Sequence, residues 1–159
     1  MKVDCQIMYV DGNPNRNGRI YTNEIVNDIL KNWKNHADII FGIPDNEKDK
    51  DVCGKIENVY LDGDILVAEG ELFDSHNATN ILKQLYKVGL NMYIVVNGCG
   101  CINMNDDKTV EDYELVSFNL SNSSSFDVLP IRELKTWSVI RLVEMTIFLL
   151  LSNHNIYFL

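Results

Sequence analysis

Four cysteines and three histidines are the side chains of this sequence best suited to covalent or proton-transfer chemistry. Cys99 and Cys101 flank Gly100 as the one close pair of thiols, while Cys5 and Cys53 stand apart. A thiol attacks as its thiolate, which a cationic neighbour must stabilise. Cys99 is therefore a candidate nucleophile, with His76 or His36 as base and Lys87 or Arg19 as the cation. Ser117 is a second candidate nucleophile and needs the same base. Each residue also has a structural reading: small packed thiols in a glycine-rich stretch for Cys99-Gly100-Cys101, and an exposed helix-capping residue for His76. Zinc would require two further ligands at metal spacing, and the sequence supplies none, so no metal and no cofactor are expected.

The elements that must position these groups follow from periodicity. Val3, Cys5, Ile7 and Tyr9 alternate with Lys2, Asp4, Gln6 and Met8, the period of a strand with one buried face. Asp11 to Pro14 ends it by turn chemistry. Asn15-Arg16-Asn17-Gly18-Arg19-Ile20-Tyr21 then leads into a helix over 23–35, with Thr22 as N-cap and Ile25, Val26, Ile29, Leu30 and Trp33 on one face. In that loop Gly18 permits a left-handed backbone, Asn15 and Asn17 can bond back to local amides, Arg19 can reach a carboxylate or carbonyl, and Tyr21 can cover the helix start.

A short strand over 38–42 precedes a charged loop over 45–51. Residues 52–61 and 65–73 read as a hairpin about Asp62-Gly63-Asp64. A helix over 78–88 closes on Gly89 as left-handed C-cap. Met92 to Val96 reads as a buried central strand, turned by 97–100. A strand over 109–120 and a Ser/Asn-rich loop complete a domain over 1–128. Residues 129–159 form a separate apolar C-terminal segment, read as helical and packed on the domain or a partner; the run from Trp137 to Leu151 is interrupted by Arg141 and Glu144 and is too short to span a bilayer. The fold class is α+β, with about six strands and two or three helices.

At 159 residues the chain is large enough for a real core, and a net charge of −9 opposes a surface built to hold nucleic-acid phosphates. Scattered thiols without a signal peptide point to an intracellular chain.

The order of elements resembles that of the prohead (capsid-maturation) serine proteases of tailed phages, which are similar in fold to the herpesvirus assemblins. Four phrases carry the likeness: Asn15 to Tyr21 ahead of a helix; Gly54-Lys55-Ile56 through Asp62-Gly63-Asp64 to Gly70; Ile81 to Gly89 ahead of Met92 to Gly100; and Leu115 to Leu120 with Ser124-Ser125-Phe126. The resemblance implies a mostly antiparallel, barrel-like sheet with flanking helices, and a Ser nucleophile served by a His base. The Ser position falls on Val95 or Val96, and the Arg that follows it falls on Asn97. The phrase that should contain the His aligns with Phe41 to Asp45 and contains none. The implied function is a phage capsid assembly or maturation protein without catalysis, acting as a structural or accessory subunit in the virion or host cytoplasm. Capsid or scaffold proteins are the expected partners, with self-association open and no nucleic acid or membrane expected. Two alternatives remain: an active maturation peptidase using Cys99 or Ser117 with His76 or His36, and an unrelated small α+β binding domain.

Overall fold

A computed structural model describes residues 1–10, 12–42 and 50–134 of the chain. The charged loop over 45–49, the His154 position and the apolar run after residue 134 lie outside the described residues. Seven strands form one sheet in the order β5-β6-β2-β3-β4-β1-β7, with β1 Lys2–Tyr9, β2 Asp38–Phe41, β3 Val52–Asp62, β4 Ile65–Leu72, β5 Tyr93–Ile102, β6 Val110–Ser121 and β7 Arg132–Glu133. The helices are α1 Asn23–Asn32 and α2 Asn77–Lys87, and a 3-10 turn over Trp33–His36 extends α1. Neighbouring strands run antiparallel except β2 and β6, which pair in parallel.

The architecture is α+β with a mostly antiparallel sheet, and the sheet is open. Its two ends nevertheless approach each other. The Ile131 amide, just before β7, donates to the Met92 carbonyl, just before β5, at 2.8 Å. The resemblance to a barrel is therefore loose: the ends are linked through a loop and not through a strand ladder.

Local sequence explains most elements. Thr22 caps α1, its hydroxyl accepting from the Ile25 amide, and Ile25, Val26 and Ile29 turn inward at helical spacing. The hairpin of β3 and β4 closes between Asp62 and Ile65, with Gly63 at φ +60, a conformation that favours glycine. The helical wheel of α2 buries Ala78, Thr79 and Leu82, and its end is a left-handed Gly89 with the Leu90 amide returning to the Leu85 carbonyl.

Two expectations are corrected. The alternation in β1 is broken by a bulge between Gln6 and Met8, so Met8 is buried with Val3, Cys5 and Ile7 while Tyr9 is half-buried. An extra residue shifts the side-chain period by one, which periodicity of the sequence cannot register. The second correction concerns β5. It is an end strand of the ladder, not a central one, and residues 97–100 do not turn it. The glycines sit at two register shifts against β6, between Asn97 and Gly98 and between Cys99 and Cys101, so the strand bends and continues to Ile102. The fully buried stretch lies in β6, between β5 and β2, where Ser117, Phe118, Asn119 and Leu120 are all covered.

Candidate functional site

The cleft forms where the ends of β2, β5 and β6 meet the flank of α2. Phe41 and Gly42 come from β2 and its exit, Ile81 and Leu85 from α2, and Val95, Val96 and Asn97 from β5, and together with Met92 and residues 119–122 they enclose about 490 Å³. Ile81, Leu85, Val95, Val96 and Phe41 are each only half-buried, so the walls are largely hydrocarbon facing an opening. Among the described residues no charged side chain lines it.

Val95, Val96 and Asn97 thus lie in the wall of the cleft, opposite Asn119, Phe118 and Ser117 on β6. The two valines carry no atom able to attack or to donate a proton. Ser117 is 7% exposed, and its hydroxyl donates to Asn119 Oδ1 at 2.7 Å. A nucleophilic hydroxyl must hand its proton to a base. A carboxamide oxygen is not one, so Ser117 works as a buried strut. Asn119 Nδ2 in turn donates to the Gly42 carbonyl at 2.6 Å. The Ser117–Asn119–Gly42 chain fixes the exit of β2 against β6, with Gly42 at φ +80 in the left-handed region.

His76 is the N-cap of α2. Its Nδ1 accepts from the Ala78 amide at 3.1 Å, which leaves the proton on Nε2, and Nε2 faces Asp51 Oδ1 at 2.8 Å. Both ring nitrogens are therefore committed. The lone pair that a general base would use already holds the helix end. The ring is largely covered, in place of the exposed capping residue expected, and it meets Phe41 edge-on at 6.3 Å between centroids, so Phe41 stands between it and the cleft. Asp51 as partner was not foreseen, since the residue lies in a charged stretch whose bland reading is solvated surface.

Cys99 and Cys101 are exposed on β5, opposite Glu114 and Glu111, and they do not line the cleft. The carboxylates across the ladder are the opposite of the cationic setting that activates a thiol. Arg19 is engaged elsewhere, donating from Nη1 to the Asp107 carbonyl at 3.0 Å. His36 lines a separate polar hollow with Asp28 and Tyr113. Cys5 and Cys53 are buried, and desolvation pushes each thiol up to about 12. Among the described residues no group of three or more His, Cys, Asp or Glu side chains is arranged to hold a metal ion. No helix among them is long and apolar enough to cross a membrane.

The loop from Asn15 to Tyr21 lies apart from the cleft and joins three segments. Asn15 Oδ1 accepts from the amides of Asn17 at 2.9 Å and Arg19 at 3.0 Å, and Gly18 takes φ +75. The Arg16 amide donates to the Ser125 carbonyl at 2.8 Å, and its guanidinium pairs with Asp127 at 2.9 Å. Ile20 forms a parallel bridge with Thr109. The Tyr21 ring packs against Tyr113 and Phe126, with centroids 5.9 and 5.4 Å away, and desolvation raises the Tyr21 phenol despite Arg19 nearby.

The sequence left Asn119, Gly42 and the α2 wall unassigned as parts of a site. One signal was present: Asn119 interrupts the apolar run Leu115–Leu120, and a carboxamide in a buried strand must have partners.

No protein-family model matches the chain, and no curated protein matches it in sequence. A solved structure does match in fold: the capsid assembly protease gp21 of bacteriophage T4, with a TM-score of 0.61 over 75% of this chain and 80% of that one, at 16% identity. The chain therefore has the fold of a phage capsid assembly protease, and at that identity the likeness is one of fold.

Proposed function

We propose that this chain is a capsid assembly or maturation protein of a tailed phage that does not catalyse proteolysis and serves as a structural or accessory subunit. Its partners in this reading are capsid or scaffold proteins, and it acts in the host cytoplasm or the virion. The observation that carries the reading is that Val95, Val96 and Asn97, where the resemblance puts the nucleophile and the residue after it, stand in the cleft wall with no hydroxyl or thiol of their own. Two further observations support it. The His76 imidazole spends both nitrogens on Ala78 and Asp51, and the buried Ser117 hydroxyl donates to Asn119. A hydroxyl without a base has negligible reactivity toward an amide. The apolar cleft can still bind a peptide, because binding needs buried area and not a nucleophile.

The test has two arms. Incubating the full chain with a fluorophosphonate probe and with the scaffold and capsid proteins of its phage should give no labelled residue and no new fragments. Sedimenting it with procapsids should bring it down with them. Labelling at any residue, or cleavage lost in Cys99→Ala, Ser117→Ala or His76→Asn, overturns the non-catalytic reading in favour of an active peptidase. Failure to co-sediment with any procapsid component overturns the accessory role.

A further inference from the structure

Two thiols of β5 take no part in the cleft. Cys99 and Cys101 are both exposed, and the glycines before and between them show which way they point. A Cβ at Gly98 would run into the Tyr113 ring, and one at Gly100 would lie 3.1 Å from Val110 Cγ1, so positions 98 and 100 turn inward. Side chains alternate along a strand, so Cys99 and Cys101 turn outward together. Pairing with β6 sets Glu114 opposite Cys99 and Glu111 opposite Cys101, and residues directly opposite share a face. Two thiols and two carboxylates thus occupy one outer patch of the β5–β6 ribbon.

Spacing decides what such a pair of thiols can do. Two residues of strand cover about 6.6 Å, and parallel side chains keep their Cβ atoms near that separation. A disulfide needs Cβ atoms about 3.8 Å apart, so closing one here would require the ladder to move. The register shift at this point does not shorten the gap, because its extra residue belongs to β6: Cys99 to Cys101 faces the longer span from Glu114 to Glu111, where Asp112 takes φ +49. A metal ion between the sulfurs fits without that movement. With metal–sulfur bonds of about 2.3 Å, two sulfurs in line across an ion stand about 4.6 Å apart, and inward-leaning Cβ–S bonds cover the remainder.

The donors select the ion. Tetrahedral zinc takes four ligands, and among the described residues no three His, Cys, Asp or Glu side chains are placed to serve it. Glu111 is already held by Asn103 Nδ2 at 2.5 Å. Two soft thiolates without a third donor suit a soft monovalent ion. The carboxylates that make this a poor setting for a nucleophile attract a cation to the same face.

We propose that Cys99 and Cys101 form a two-coordinate site for Cu(I). On binding, two S–H bonds break, two sulfur–copper bonds form and two protons pass to solvent, while the ion keeps its oxidation state. The site is independent of the non-catalytic reading above, because neither thiol lines the cleft.

The test uses the full chain, reduced and kept free of oxygen, with Cu(I) supplied as its acetonitrile complex and competed against bathocuproine disulfonate. The protein should withdraw one Cu(I) per chain, keep the size of the metal-free protein on gel filtration, and show two sulfur neighbours around copper by X-ray absorption. Cys99→Ser and Cys101→Ser, each with unaltered circular dichroism, should weaken binding by about 100-fold or more, the loss expected when two linked donors become one. One equivalent of Cu(I) should also protect both thiols of the unsubstituted protein from iodoacetamide, and this measurement decides if a serine variant does not fold. Four results overturn the proposal: no withdrawal of Cu(I), unchanged affinity in both serine variants, thiols that alkylate equally fast with and without Cu(I), or a copper-induced doubling in size, which would assign the two sulfurs to different chains.

Discussion

In the loop from Asn15 to Tyr21 the working groups are amides, carbonyls and a guanidinium; along the cleft side of β5 they are methyl groups. The loop directs its bonds outward to the Asp107 carbonyl, the Ser125 carbonyl and the Asp127 carboxylate, so two distant segments depend on it. Among the described residues, Val95 and Val96 present only methyl groups to the cleft. The contrast teaches that the polar contacts tying distant segments together are separate from the apolar cleft. The two regions meet at a single ring: Tyr113 packs edge-on against Tyr21 of the loop and also lies against Gly98 of β5.

That meeting point gives the largest expected effect. A Cβ at Gly98 would lie 2.5 Å from the Tyr113 ring and closer still to the Glu114 carbonyl. Gly98→Ala must therefore push the strand off Tyr113, at a cost of about 2–4 kcal/mol read from urea unfolding, with a shift in the Tyr21 ring resonances. Unchanged Tyr21 signals would show that the two regions are uncoupled. Next comes Asn15→Ala, which removes the acceptor of two amides and should cost roughly 1–2 kcal/mol in the same assay. Gly18→Ala tests the loop without steric conflict, since nothing lies within 4 Å of its Cβ position and only φ +75 resists the change. About 1 kcal/mol is expected, well below the Gly98 effect.

The thiols sharpen the comparison further. Cys99 and Cys101 should react with a disulfide reagent in the native protein, and Cys5 and Cys53 only after unfolding. Burial raises the folded value of the latter pair to about 12, above the usual thiol near 9. Their contribution to stability is therefore complete below about pH 9 and is lost as pH rises toward 12, because the unfolded chain ionises first. Urea midpoints should fall from pH 8 to pH 10.5.

The smallest effect concerns Asp106. The Thr109 hydroxyl, then the Thr109 and Lys108 amides, hold its carboxyl down to about 2. What it contributes is present above the ordinary Asp range and lost as pH falls through about 2. A carboxyl NMR titration with a midpoint near 4 would remove the turn from the account.

The sequence by itself determined whatever depends on residues a few positions apart. Thr22 caps α1, Gly63 turns the hairpin and Gly89 ends α2 because a cap, a turn and a left-handed φ are settled within one turn of chain. The order of these elements also carried the likeness to the protease fold. Tertiary structure decided the rest, because each remaining feature is a partnership across long sequence distances. Strand pairing placed β5 at an end of the ladder, with β6 between it and β2, and turned the glycines of 97–100 into bends within a strand. The β1 bulge brought Met8 inward. Asp51 became the partner of His76, and Asn119 reached back to Gly42, 77 residues earlier. A side chain's type limits which bonds it can make, and only the folded chain decides which groups stand within reach to make them.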